Sequence, residues 1–229
     1  MIAIPPFAKS RDRKGVLVQG VIRSNFIFFG LPMAISLYGK ESAGIASLLG
    51  GLASPLFNVI SLFSLEFFMG EERDYSKIVK AILTNQMILA SLLGLLFALT
   101  NYSLPPMIVT FLKEVASITT PLALIVLGAS VTYSSLKKNS FALIMITLLK
   151  LIVVPLVVVL VAIAFGYREL ELILILALFA SPASVTSLTL AQQLDQDYNL
   201  AGQIVVTTTS ASLLTLFVWI SVFLKLSLF

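Results

Sequence analysis

The chain has 229 residues, 59% of them hydrophobic and only 11% charged, with a formal net charge of +4. Its mean hydropathy of +1.04 excludes an ordinary soluble domain and points to an all-α polytopic membrane protein. With no cysteine and no histidine, the sequence has no disulfides, no thiolate chemistry and neither the commonest general base nor the commonest metal ligand.

Residues 1–14 are a short basic segment ending in Arg11-Asp12-Arg13-Lys14. Span A follows over residues 15–38, apolar at its flanks but carrying Arg23-Ser24-Asn25 at its centre, with Gly30 and Pro32 beyond. A membrane-crossing helix needs about 20 residues. A cation, a hydroxyl and an amide at mid-depth are costly unless they face a protein interior or a water-filled cavity. Glycine and proline weaken a helix, so a break is expected near Ser24-Asn25.

Span B covers about 42–69 and contains Gly50-Gly51, Pro55 and Asn58; a charged loop at 71–77 leads to span C, about 78–100. Span D, about 105–134, carries Lys113, Glu114 and Pro121, and Lys137-Lys138 mark the loop after it. Span E, about 141–166, holds Lys150 and Pro155. Span F, about 170–194, is interrupted by Ser181-Pro182-Ala183-Ser184, and span G, about 200–224, opens on Thr207-Thr208-Thr209-Ser210. The expectation is seven transmembrane helices.

Orientation follows from Lys and Arg in the short loops. With the amino terminus inside, the inner side holds Lys9, Arg11, Arg13, Lys14, Arg73, Lys77, Lys80, Lys137 and Lys138, and the outer side Lys40, Arg168 and Lys225. The positive charge is therefore loop bias rather than nucleic-acid affinity, and the carboxyl terminus is expected outside.

Spans A and B can be laid on F and G without a gap at an offset of 158 residues, which sets Ser24 on Pro182, Asn25 on Ala183 and Ala43-Gly44 on Ala201-Gly202. Each copy is a broken, polar-centred span followed by another span, and the two run in opposite directions. Such inverted repeats place a substrate site where broken helices meet. Residues 78–229 would then be one five-helix repeat and residues 15–69 the last two helices of the other, with three helices expected ahead of Met1.

The run Gln19-Gly20-Val21-Ile22-Arg23-Ser24-Asn25, continued through Gly30-Leu31-Pro32, resembles the fourth helix of auxin efflux carrier family transporters. Pro121-Leu122-Ala123-Leu124 with Gly128 is similar to that family's seventh helix, Lys150-Leu151 with Pro155 to its eighth, and Ser181-Pro182-Ala183 with the span G Thr/Ser cluster to its ninth and tenth. The resemblance implies a ten-helix inverted-repeat fold with crossing broken helices, of which this chain would be a remnant. It also implies a secondary carrier of small organic anions such as malate or malonate in the plasma membrane, with no cofactor and no catalytic residues.

Asn25 leads the expected substrate contacts, because an amide both donates to a carboxylate and accepts a hydrogen bond. Ser24 and Ser181 flank the breaks and serve either substrate or freed backbone groups. Pro182 makes the second break, and the half-helix after it, with Ser184, offers a positive dipole end to an anion. Arg23, Asn58 and Thr207 complete the set; Arg23 either pairs with an anion or snorkels, as does Lys150. Gly50-Gly51 and Gly128 read as close-packing positions. The expected partners are an organic anion, the lipid bilayer and further copies of the chain, with sodium, a proton or neither as coupling ion. Two alternatives stay open: a truncated, inactive carrier, and a seven-helix receptor. The absence of histidine and of any Asp within a span argues against an enzyme.

Overall fold

The computed structural model describes residues 10–69, 75–100, 104–130 and 133–228. Among these it is helical throughout, with α1 Arg11–Ile22, α2 Phe26–Tyr38, α3 Ala43–Met69, α4 Tyr75–Thr84, α5 Gln86–Thr100, α6 Pro106–Ser130, α7 Tyr133–Lys138, α8 Ser140–Leu148, α9 Val154–Ala164, α10 Glu169–Ala180, α11 Thr186–Gln193 and α12 Tyr198–Lys225. Three helical segments among the described residues are long and apolar enough to cross a membrane, Lys40–Phe68, Ser140–Ala164 and Tyr198–Lys225; Phe26–Tyr38 and Ile88–Thr100 are shorter apolar helices. Lys9 and the charged residues 71–74 lie outside the described residues.

Span A does break, but at the polar residues themselves. Arg23 is extended (φ −75°, ψ 118°) and ends α1, while α2 runs on through Gly30 and Pro32. The two helix weakeners therefore do not make the break. Gly30 instead lets the Phe26 ring and Ala177 approach its backbone. Span F breaks at Ser181 (φ −65°, ψ 148°), which ends α10. Span C, expected to be continuous, is split at Asn85, whose side chain accepts from the Ile88 N–H and so starts α5 afresh. The Lys137-Lys138 pair, expected in a loop, closes the short helix α7.

Span E is continuous because its irregularity is absorbed by a π-helical segment, Leu149–Val153, between α8 and α9. Pro155 has no N–H to offer the carbonyl four residues before it; the Trp219 indole donates to that Leu151 carbonyl instead, at 2.9 Å. Lys150 lies in the same segment, wholly buried, and its ammonium has no hydrogen-bond partner among the described residues. It therefore does not snorkel.

Helices α1 and α3 run in opposite directions. The start of α1 packs on the end of α3, where a Cβ at Gly15 would lie 2.9 Å from the Leu65 Cα. Arg13, near the start of α1, donates to Asn139 at 2.6 Å and pairs with Asp197 at 3.3 Å, which gathers the starts of α1, α8 and α12 at one end. Asp197 also accepts the Leu200 N–H and so caps α12. At the opposite end the Glu169 N–H donates to the Leu228 carbonyl, joining the start of α10 to the chain beyond α12.

Two apolar clusters divide the interior. One gathers Val16, Leu17, Leu62, Leu65, Ile146, Leu200 and Ile204; the other gathers Phe26, Met33, Val159, Leu172, Leu176, Ala177 and Phe223. The helix breaks lie between them. Outward, α3 presents Ile45, Leu48, Leu52 and Leu56, all at least half exposed, as an apolar face suited to hydrocarbon. Of the glycines expected to serve close packing, Gly50 does, against Ile27 and Phe26, whereas Gly51 and Gly128 face open space.

Three stability outcomes follow. Gly15→Ala lowers the unfolding midpoint of the purified protein, by about 1–3 kcal/mol of strain, because the group it meets is backbone and cannot move aside. Gly44→Ala, with nothing within 4 Å, raises it by roughly 0.5–1 kcal/mol through helix propensity. Lys150→Met raises the midpoint, since it removes a buried, unpaired ammonium at a gain of about 1–3 kcal/mol. A lower midpoint for that variant would show that the ammonium has a partner.

Candidate functional site

The two breaks meet. Ser24 and Ala183 form an isolated antiparallel bridge, and the Asn25 N–H donates to the Pro182 carbonyl at 2.9 Å. The Ala183 N–H donates to the Thr208 hydroxyl at 3.1 Å, which in turn donates to the Ile204 carbonyl of its own helix at 2.7 Å. The Ser24 hydroxyl reaches the Ser181 carbonyl at 3.5 Å, and the Ser181 hydroxyl donates to the Ala177 carbonyl at 2.5 Å. Backbone groups released by unwinding are thus taken up locally, as they must be away from water.

Beside this crossing lies a cavity of about 500 Å³, within the roughly 300–1,000 Å³ typical of small-molecule pockets. Arg23, Ser24 and Asn25 form part of its wall; Ser54 and Asn58 come from α3, Ser91 from α5, Ala116 from α6, and Ser184 and Thr186 from the second break and the start of α11. Phe26, Ile27, Phe28 and Phe57 supply the apolar surface. Arg23 is 4% exposed; one terminal nitrogen of its guanidinium donates to the Asn58 side-chain oxygen at 2.5 Å and the other has no partner among the described residues. The Asn58 amide nitrogen reaches the Ser91 hydroxyl at 3.4 Å.

The first turns of α2 and α11 both border the cavity, and neither receives a side-chain cap. At α11 the Ser187 and Leu188 N–H groups donate to the Ser184 and Val185 carbonyls at 2.9 and 3.0 Å, so among the described residues it is the start of α2 that turns unbonded N–H groups to the cavity, while both starts bring the positive end of the dipole. With a guanidinium, two amides and five hydroxyls in the lining, and no carboxylate there among the described residues, the cavity is electropositive and rich in donors. That is the chemistry of an anion site with apolar walls.

Of the residues singled out in the sequence, Arg23, Ser24, Asn25, Asn58 and Ser184 line this one cavity. Ser181 and Pro182 are buried in the crossing itself, outside the lining. Thr207 turns back on its own helix, donating to the Gln203 and Ile204 carbonyls at 2.9 and 3.2 Å; it is Thr208, one residue on and about 100° around the helix, that supports the break. Ser54, Ser91 and Thr186 were not singled out. Only Thr186 carries a local signal, as the first polar residue of the half-helix after Pro182.

The family described as membrane transport protein matches residues 71–220. An uncharacterised transporter of Methanocaldococcus jannaschii is 26% identical over 217 residues, spanning 92% of this chain and 69% of that protein. No solved structure matches the chain. The match over 71–220, which runs from just before α4 into α12 and covers about two thirds of the chain, identifies it as a member of the membrane transport protein family, that of the auxin efflux carriers.

Proposed function

We propose that the protein is a secondary carrier moving small organic anions, such as malate or malonate, across the cytoplasmic membrane. The observation that carries this reading is the lining of the crossover cavity: a buried guanidinium with one nitrogen unpartnered among the described residues, two amides and two helix starts without side-chain caps, with no carboxylate among the described residues. A carboxylate placed among them would gain charge-assisted hydrogen bonds, and Phe26, Phe28 and Phe57 would cover its carbon skeleton.

In this reading the helices make seven spans: α1 with α2, α3, α4 with α5, α6, the run from α8 to α9, α10 with α11, and α12. Residues 15–69 and 78–229 belong to two inverted repeats. The offset of 158 residues supports the pairing, since it carries Arg23, which ends α1, onto Ser181, which ends α10. The antiparallel sense of the Ser24–Ala183 bridge supports opposite directions for the two broken spans. Loop charge favours an inner amino terminus and an outer carboxyl terminus. Transport proceeds by alternate opening of the two ends around a fixed crossing, as broken-helix carriers do. Arg13 and its contacts to Asn139 and Asp197 hold one end closed.

Asn25 is partly exposed in the wall, and its side chain has no hydrogen-bond partner among the described residues. In proteoliposomes, Asn25→Ala should raise the half-saturating concentration for radiolabelled malate uptake by roughly 5- to 100-fold, from a loss of about 1–3 kcal/mol. Ser36→Ala, exposed near the far end of α2, should leave uptake as it is. Unchanged uptake in the Asn25 variant would remove the residue from the site. Absence of uptake in the unaltered protein for every small carboxylate tested would remove the reading itself.

A further inference from the structure

One helical turn away from Arg23 lies a second polar position that the cavity does not use. Gln19, Ser61 and Ser187 are each at most 3% exposed, and in each one side-chain oxygen has no partner among the described residues: Oε1 of Gln19 and Oγ of the two serines. Gln19 and Ser187 are neighbours, since the Gln19 amide nitrogen reaches the Ser187 carbonyl at 3.3 Å. That contact leaves the amide oxygen on the other side of the group.

The register of α1 against α3 brings Ser61 to the same level. Gly15 packs on Ser64 and Leu65, and Arg23 bonds to Asn58. In two antiparallel helices, four residues up from Gly15 meets about four residues down from Leu65, which sets Gln19 opposite Ser61. Helix α11 touches both α1 and α3, and the Gln19–Ser187 contact joins it to α1 at this level.

The serines are unusual for this chain. Ser54, Ser64, Ser181, Ser212 and Ser221 each donate to a carbonyl three or four residues back in their own helix, the ordinary way to satisfy a hydroxyl in an apolar helix. Ser61 and Ser187 do not, although both are buried. Three uncharged hard oxygens, none bonded to another, suit a hard cation of single charge. No group of three or more His, Cys, Asp or Glu able to hold a metal ion occurs among the described residues, which disfavours a divalent ion.

We propose that Gln19 Oε1, Ser61 Oγ and Ser187 Oγ form a binding site for a sodium ion, one turn below the anion cavity and bridging α1, α3 and α11. Carbonyls released at unwound helix ends complete such a shell in broken-helix carriers. Because α1 and α11 both contribute to the crossing, an ion here would fix the two half-helices that border the cavity and so couple its binding to that of the anion. The coupling rests on the carrier reading; the ion site does not.

The test is thermal unfolding of the purified protein in detergent, with sodium chloride replacing choline chloride at constant ionic strength and potassium chloride in a parallel series. Sodium should raise the unfolding temperature by a few degrees with saturation, and potassium should not. Ser61→Ala and Ser187→Ala should each move the half-effective sodium concentration at least tenfold upward, while Ser221→Ala leaves it in place. Removing an unpartnered hydroxyl does not endanger folding, so both variants remain measurable. An identical response to choline, sodium and potassium would mean that the oxygens hold only water and would overturn the proposal, as would a wild-type sodium response in both serine variants. Sodium stabilisation with no uptake of any small carboxylate tested would keep the ion site and reject the carrier reading.

Discussion

The hydrogen bond from the Asn25 N–H to the Pro182 carbonyl, with the bridge between Ser24 and Ala183, joins two helices at the points where each has come apart. In hydrocarbon there is no water to take up freed N–H and C=O groups, and each one left alone costs several kcal/mol. Neither break could persist by itself. Each supplies partners for the other, and Thr208 supplies one more to Ala183. The rest of the molecule is arranged to hold these two stretches together: Gly15 lets α1 lie close on α3, and Gly50 lets α3 lie close on the start of α2.

The crossing also generates the chemistry beside it. A continuous helix hides its backbone donors, whereas a helix that restarts in mid-bundle presents a turn of them. Here α2 makes such a start beside the cavity, α11 adds the positive end of its dipole, and Arg23 adds its charge from the residue that ends α1. The guanidinium is held by Asn58 of α3, so the position of the charge depends on the same α1–α3 packing that sets the break. Apolar clusters on either side isolate this polar belt, which strengthens every charge–dipole interaction within it.

Much of this was legible in the residues. Arg23-Ser24-Asn25 within an apolar span, and Ser181-Pro182 within another, mark the breaks because such groups are expensive at mid-depth. Spans B, E and G were legible as long apolar runs and remain continuous helices. The cause of the first break is not legible there: Gly30 and Pro32 look like helix breakers locally, yet the helix passes through both because the cross-pairing at residues 24 and 25 offers the backbone a better exchange. The break at Asn85 has no clear sequence signal, because an asparagine in a polar flank is ambiguous until its side chain caps α5. Thr207 and Thr208 differ only by their place around the helix, which composition cannot resolve. Lys150 could not be assigned a depth, since the choice between burial and snorkelling depends on how α8, α10 and α12 surround it. Ser91 joins the cavity through contacts more than thirty residues apart in sequence, a distance over which periodicity carries no information.

Because the chain has no cysteine, the crossing can be tested with one introduced pair. Residues paired across an antiparallel bridge have Cα atoms roughly 4.5–5.5 Å apart, inside the 4.4–6.8 Å range that a disulfide spans. The protein carrying Ser24→Cys and Ala183→Cys is to be oxidised in membranes and cleaved between the two positions, and its fragments separated with and without reductant. The crossing predicts that the fragments stay joined until reduced, and that a Ser36→Cys, Ala183→Cys pair does not join them. Fragments that separate without reductant, or equal cross-linking in both pairs, would contradict the account.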